Sequence, residues 1–155
     1  MLGLALLGAF PTLAGKPEME ELAAAVLELE DPVDPAFVRD FQQGTLARPI
    51  PAERLQDVIS ESLKMPARVW KAVARQLLED DFSAELARIA VPSLIVWGEH
   101  DGFTNADEQR RLAALLPGST LVPMADAGHA MHWEDPAGVA ALLANFFRAH
   151  VRAAA

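Results

Sequence analysis

The chain has 155 residues, no cysteine, and 22 acidic against 13 basic side chains, for a formal charge of −9. Its length and composition suit one globular domain, and the acidic balance without any Lys or Arg cluster argues against a nucleic-acid partner. Lack of cysteine excludes disulfides, thiolate metal sites and a cysteine nucleophile, so any nucleophile must be an oxygen side chain.

The first element is the apolar run MLGLALLGAF. It is far shorter than the roughly 20 residues that cross a bilayer as a helix. No Lys or Arg precedes it as one would in a secretory leader. A buried strand of a parallel sheet, over residues 1–10, suits it better. The same features predict a cytoplasmic chain with no membrane partner.

After the turn-rich stretch FPTLAGKP, Met19, Leu22, Ala23, Val26 and Leu29 recur at helical spacing, which predicts a helix over about 18–30. Asp34 before Pro35 marks a second helix start, with Phe37, Val38 and Phe41 on its apolar side and Gly44 at its end. Pro51 opens a third, striped by Leu55, Val58, Ile59 and Leu63. Pro66 breaks the pattern before a fourth that carries Val69, Trp70, Val73 and Leu77.

Beyond Phe82 the pattern changes to alternating strand and helix. Leu86 and Ile89 close a short helical piece, and SLIVW (Ser93–Trp97) reads as a buried strand. A helix follows over about 105–116, then the strand STLVPM (Ser119–Met124), then a last helix from near Pro136. This alternation predicts an α/β fold with about three parallel strands and covering helices. The predicted division is a core strand over 1–10, a four-helix insertion over 11–85, and the remainder of the core over 86–155.

In open parallel sheets, ligands bind beyond the carboxyl ends of the strands. That rule selects Asp101, four residues past Trp97, and His129, five past Met124. A carboxylate that accepts the Nδ1 proton of an imidazole fixes its tautomer and stabilises the imidazolium, so the pair suits a general base with its orienter. Glu99 and Asp126 are alternative acids in the same loops. His129, His132 and Glu134 could be read as a metal cluster, but the spacing lacks the H-E-x-x-H pattern that puts two imidazoles on one helical face. Neither a metal nor a cofactor is expected. Met65, Trp70 and Phe103 are candidate lining residues of an acyl pocket, with plain packing as the competing role.

The runs VPSLIVWGEHDGF and ADAGHAMHWEDP, with 28 residues from Asp101 to His129, resemble the acid and histidine segments of the α/β-hydrolase family. LGLALLGAF resembles the family's sixth strand, and the helical insertion resembles its cap domain. The resemblance implies that Asp101 and His129 are the acid and base of a catalytic triad, and it puts His132 and Trp133 at the start of the last helix. It implies a cofactor-independent hydrolase of an ester, lactone or similar small acyl substrate.

One part of the family pattern is missing. The serines are Ser60, Ser62, Ser83, Ser93 and Ser119, and none sits in a glycine-flanked strand-to-helix elbow. The expectation is the C-terminal portion of such an enzyme, inactive alone. An apolar strand edge over residues 2–10 would be open to self-association or a partner chain. An upstream aspartate nucleophile would instead make the whole a haloalkane dehalogenase or epoxide hydrolase. A non-catalytic scaffold completed by a partner polypeptide is the rival of another class.

Overall fold

Three of the apolar runs pair as a parallel sheet in the computed structural model, which describes residues 2–151. β1 (Leu4–Leu7), β2 (Ser93–Gly98) and β3 (Ser119–Met124) lie in the order β1-β2-β3. Leu4 pairs with Ser93, and Ser93 with Ser119. β2 is therefore flanked on both sides, and every one of its residues is buried. β1 is shorter than the run 2–10 suggests. Gly8 takes φ 57°, a left-handed conformation that turns the chain out of the sheet after its N–H reaches the Val96 carbonyl.

Alternation along β2 fixes what covers each face. Leu94 and Val96 point to one side and pack with Ala127, Met131, Val139 and Phe146. Ile95 points to the other and packs with Leu86, Leu112 and Leu116. The helices α7 (Met131–Glu134) and α8 (Pro136–Val151) thus cover one face. The helices α5 (Ser83–Leu86) and α6 (Ala106–Leu115) cover the other. The last helix starts at Pro136, as the spacing predicts, but His132 and Trp133, which the resemblance puts at its start, lie in the separate turn α7, because Pro136 holds Asp135 at φ −138°, ψ 71° and interrupts the helix there.

The described residues divide into two compact units, one of residues 2–10, 45–49 and 83–151, the other of residues 11–44 and 50–82. The second is the four-helix insertion: α1 (Pro17–Leu27), α2 (Pro35–Gly44), α3 (Ala52–Ser62) and α4 (Ala67–Glu79). Its core joins Val26, Val38, Ile59 and Trp70. The short segment Thr45–Pro49, although it lies between α2 and α3, belongs to the sheet unit. No helix among the described residues is long and apolar enough to cross a membrane.

Candidate active site

Two loops meet at the carboxyl ends of β2 and β3. The first leaves β2 at Gly98 and is pinned by backbone bonds from Glu99 N–H to Met124 O (3.1 Å) and from His100 N–H to Ala127 O (2.9 Å). It ends where Asn105 caps α6. The Asn105 side chain accepts from the Asp107 and Glu108 amides, while Glu108 accepts from the Asn105 amide. Between these anchors the Asp101 carboxylate turns inward and has no exposed surface.

His129 comes from the second loop, and its Nδ1 lies 3.1 Å from Asp101 Oδ2. A carboxylate oxygen can only accept, so Nδ1 carries the proton and Nε2 presents a lone pair. The imidazole keeps 28 % of its side-chain surface exposed, which leaves Nε2 a route to solvent or substrate. Its Oδ1 neighbour on Asp101 accepts from the Phe103 amide at 2.7 Å. Phe103 also sets its ring edge-on to the imidazole, with centroids 4.6 Å apart. Beneath the ring lies Gly8, where a Cβ would come within 3.0 Å of His129 Nδ1.

The loop that bears His129 is braced from behind by Glu134. Its carboxylate accepts three backbone N–H groups: Gly128 at 2.8 Å, Ala47 at 2.5 Å and Arg48 at 3.1 Å. Ala130 N–H adds a bond to Thr45 O. Glu134 is thus engaged with backbone, and no group of three potential metal ligands occurs among the described residues.

The alternative acids are elsewhere. Asp126 faces His100 at 3.7 Å on the surface, and Glu99 is exposed. Of the candidate lining residues, Phe103 touches the pair. Trp70 is 8 % exposed and packs edge-on to Phe37 and Phe41 inside the helical unit. Met65 lines a groove of about 480 Å³ in that same unit, with Asp31, Val33, Leu63 and Pro66. Gly8, Thr104, Gln109 and Glu134 make contacts around the pair that strand-end spacing did not reveal.

Ser93 and Ser119 stand at the opposite ends of β2 and β3 from this rim, roughly 16 Å away at the rise of a strand. Ser83 opens α5. In the helical unit, the Ser62 hydroxyl donates to Val58 O and accepts from Gln42 Nε2.

His132 retains an exposed face, yet partial desolvation first, and the neighbouring His129 second, lower its pKa from the ordinary 6.5. The folded chain therefore binds fewer protons there than the unfolded chain just below that value. The contribution of His132 is complete above about pH 6.5 and is lost as pH falls toward its depressed folded pKa. Melting curves from pH 7.5 to 5.5 should show Tm falling with acid, and His132→Gln should flatten that slope. An equal slope in both proteins would refute the assignment.

The family model for the alpha/beta hydrolase fold matches residues 32–136. A 2-hydroxy-6-oxononadienedioate/2-hydroxy-6-oxononatrienedioate hydrolase from Pseudomonas putida is 33% identical over 95 residues, 61% of this chain and 33% of that protein. The hydrolase of the same description from Klebsiella pneumoniae is 32% identical over 106 residues, 68% of this chain and 37% of that one. The chain therefore spans about a third of the length of these curated relatives. Among solved structures, an esterase from Exiguobacterium antarcticum superposes with a TM-score of 0.83 at 20% identity, covering 95% of this chain and 57% of the esterase. An enol-lactonase from Burkholderia xenovorans gives 0.76 at 19% identity, with 96% and 56% covered.

Proposed function

Because the chain belongs to the α/β-hydrolase family, we propose that it supplies the acid and base of a Ser-His-Asp hydrolase whose attacking serine comes from polypeptide outside these 155 residues. The observation that carries this reading is the 3.1 Å contact between Asp101 Oδ2 and His129 Nδ1 at the ends of two adjacent parallel strands. His129 Nε2 takes the proton of the serine hydroxyl as it attacks an acyl carbon, then returns it to the leaving group. The same nitrogen next deprotonates the water that attacks the acyl carbon and passes that proton to the serine oxygen as the acyl–serine bond breaks. Asp101 holds the ring and offsets the imidazolium charge at each step.

The substrate class is an ester, lactone or similar small acyl compound. The names of the related proteins span oxononadienedioate hydrolase, esterase and enol-lactonase, consistent with acyl or related carbonyl chemistry. We assign the four helices of the second unit to the family's cap domain. The outer edge of β1, which has no strand partner among the described residues, is where further strands add.

An assay on short-chain nitrophenyl esters tests this. The chain alone should give no turnover above buffer. Mixed with, or fused to, a polypeptide that bears a glycine-flanked serine elbow, it should hydrolyse them. His129→Ala should then lower the rate at least about 10²-fold, the ordinary worth of a general base. Turnover that survives that substitution would overturn the proposal.

A further inference from the structure

Behind Asp101 lies a second row of donors. Thr104 is 3 % exposed and Gln109 is fully buried, both in the sheet unit. Gln109 Nε2 lies 2.8 Å from Ala9 O and 3.0 Å from Thr104 Oγ1, and Thr104 Oγ1 lies 3.1 Å from Asp101 Oδ2. The directions of these bonds follow from chemistry. Ala9 O is a backbone carbonyl and can only accept, so the amide must turn its NH2 toward it. That same NH2 then donates to Thr104 Oγ1, whose own proton is left for Asp101 Oδ2.

This orientation has a cost. It leaves Gln109 Oε1 buried with no hydrogen-bond partner among the described residues. A buried acceptor without a donor is unfavourable, and turning the amide over would relieve nothing, because it would set an oxygen against Ala9 O. The orphaned oxygen is therefore the consequence of holding the NH2 on Ala9 and Thr104. Thr104 is itself fixed at its other end, where its carbonyl accepts from Trp97 Nε1 at 3.3 Å.

We infer that Thr104 and Gln109 are positioning residues that lock Asp101 onto His129, with the carbonyl of Ala9 as their anchor at the end of the segment that follows β1. The inference rests on the reading of Asp101 and His129 as acid and base. With Thr104 and Phe103 supplying donors to both carboxylate oxygens, Asp101 has one orientation, and its remaining acceptor capacity faces Nδ1. Removing the Thr104 hydroxyl frees the carboxylate to turn, and His129 then loses its fixed tautomer. Removing the Gln109 amide does the same at one remove, since the Thr104 hydroxyl no longer has a donor that dictates its direction.

The test needs no substrate, so it is independent of whether the hydrolase reading holds. Long-range proton–nitrogen NMR on the full chain distinguishes an imidazole with its proton on Nδ1 from one with its proton on Nε2. The wild type and Thr104→Ser should both show His129 as the Nδ1–H form alone. Thr104→Val, which keeps the shape and removes the hydroxyl, should show a mixture of both forms, and Gln109→Met should do likewise. Melting curves recorded alongside identify any variant that fails to fold, in which case the other substitution decides. A folded Thr104→Val or Gln109→Met with the wild-type spectrum would overturn the inference. So would a Thr104→Ser as disturbed as Thr104→Val, since packing rather than the hydroxyl would then be responsible.

Discussion

Asp101→Asn is expected to lower kcat of the completed hydrolase by about four orders of magnitude, the scale associated with holding a catalytic histidine in the wrong tautomer. The reason lies in the donors around the carboxylate. Oδ1 accepts from the Phe103 amide, while Oδ2 accepts from the Thr104 hydroxyl and His129. Asparagine can keep only one of these acceptors. If its oxygen stays on the Phe103 amide, its NH2 faces His129, and Nδ1 must accept rather than donate. The imidazole proton then moves to Nε2, the nitrogen that should take the serine proton. The opposite amide orientation sets NH2 against the Phe103 N–H, a buried donor against a donor.

Steady-state kinetics separate this outcome from a general loss of structure. KM should change little, because Asp101 is buried behind His129 and does not itself reach substrate. Adding His129→Ala to Asp101→Asn should cost far less than the product of the single effects, since the two act as a unit. A loss in kcat below about tenfold for Asp101→Asn would be incompatible with the base-and-orienter role.

Much of this arrangement was open to a reading of the sequence because its causes are local. A run of four apolar residues, Leu94–Trp97, between Pro92 and Gly98 has few options besides a buried strand, and the strand-end rule then selects the loops that hold Asp101 and His129. The supporting residues were harder to see because their partners are distant in the chain. Glu134 binds amides 86 and 87 residues away, and no spacing rule predicts such contacts. Gln109 did leave a signal. It lies three residues before Leu112 and seven before Leu116, on the apolar side of α6, so a polar side chain had to be buried there. Gly8 ended β1 early for a conformational reason that the apolar character of Leu2–Phe10 concealed.

Gly98→Ala is expected to be the most damaging single methyl added to the sheet unit. A Cβ at Gly98 would lie 2.2 Å from Gly128 O and 2.3 Å from Ala127 O, both of them backbone atoms that cannot rotate aside. The loop has no room to retreat. On its far side, a Cβ at Gly128 would come within 2.6 Å of Ala47 N, and Glu134 ties Ala47, Arg48 and Gly128 together. The backbone that leads into His129 is therefore held between the end of β2 and the segment Thr45–Pro49. Forcing it outward stretches the His100 N–H to Ala127 O bond and separates His129 from Asp101. Overpacking at a site that cannot relax costs about 3 kcal/mol, the upper end of the usual range. For a chain of this size that lowers Tm by roughly 6–12 °C. Gly44→Ala, where no atom lies within 4 Å of the new methyl, supplies the control and should leave Tm nearly unchanged. A Gly98→Ala chain that melts with the wild type would show that the two backbones are not packed as closely as these distances require.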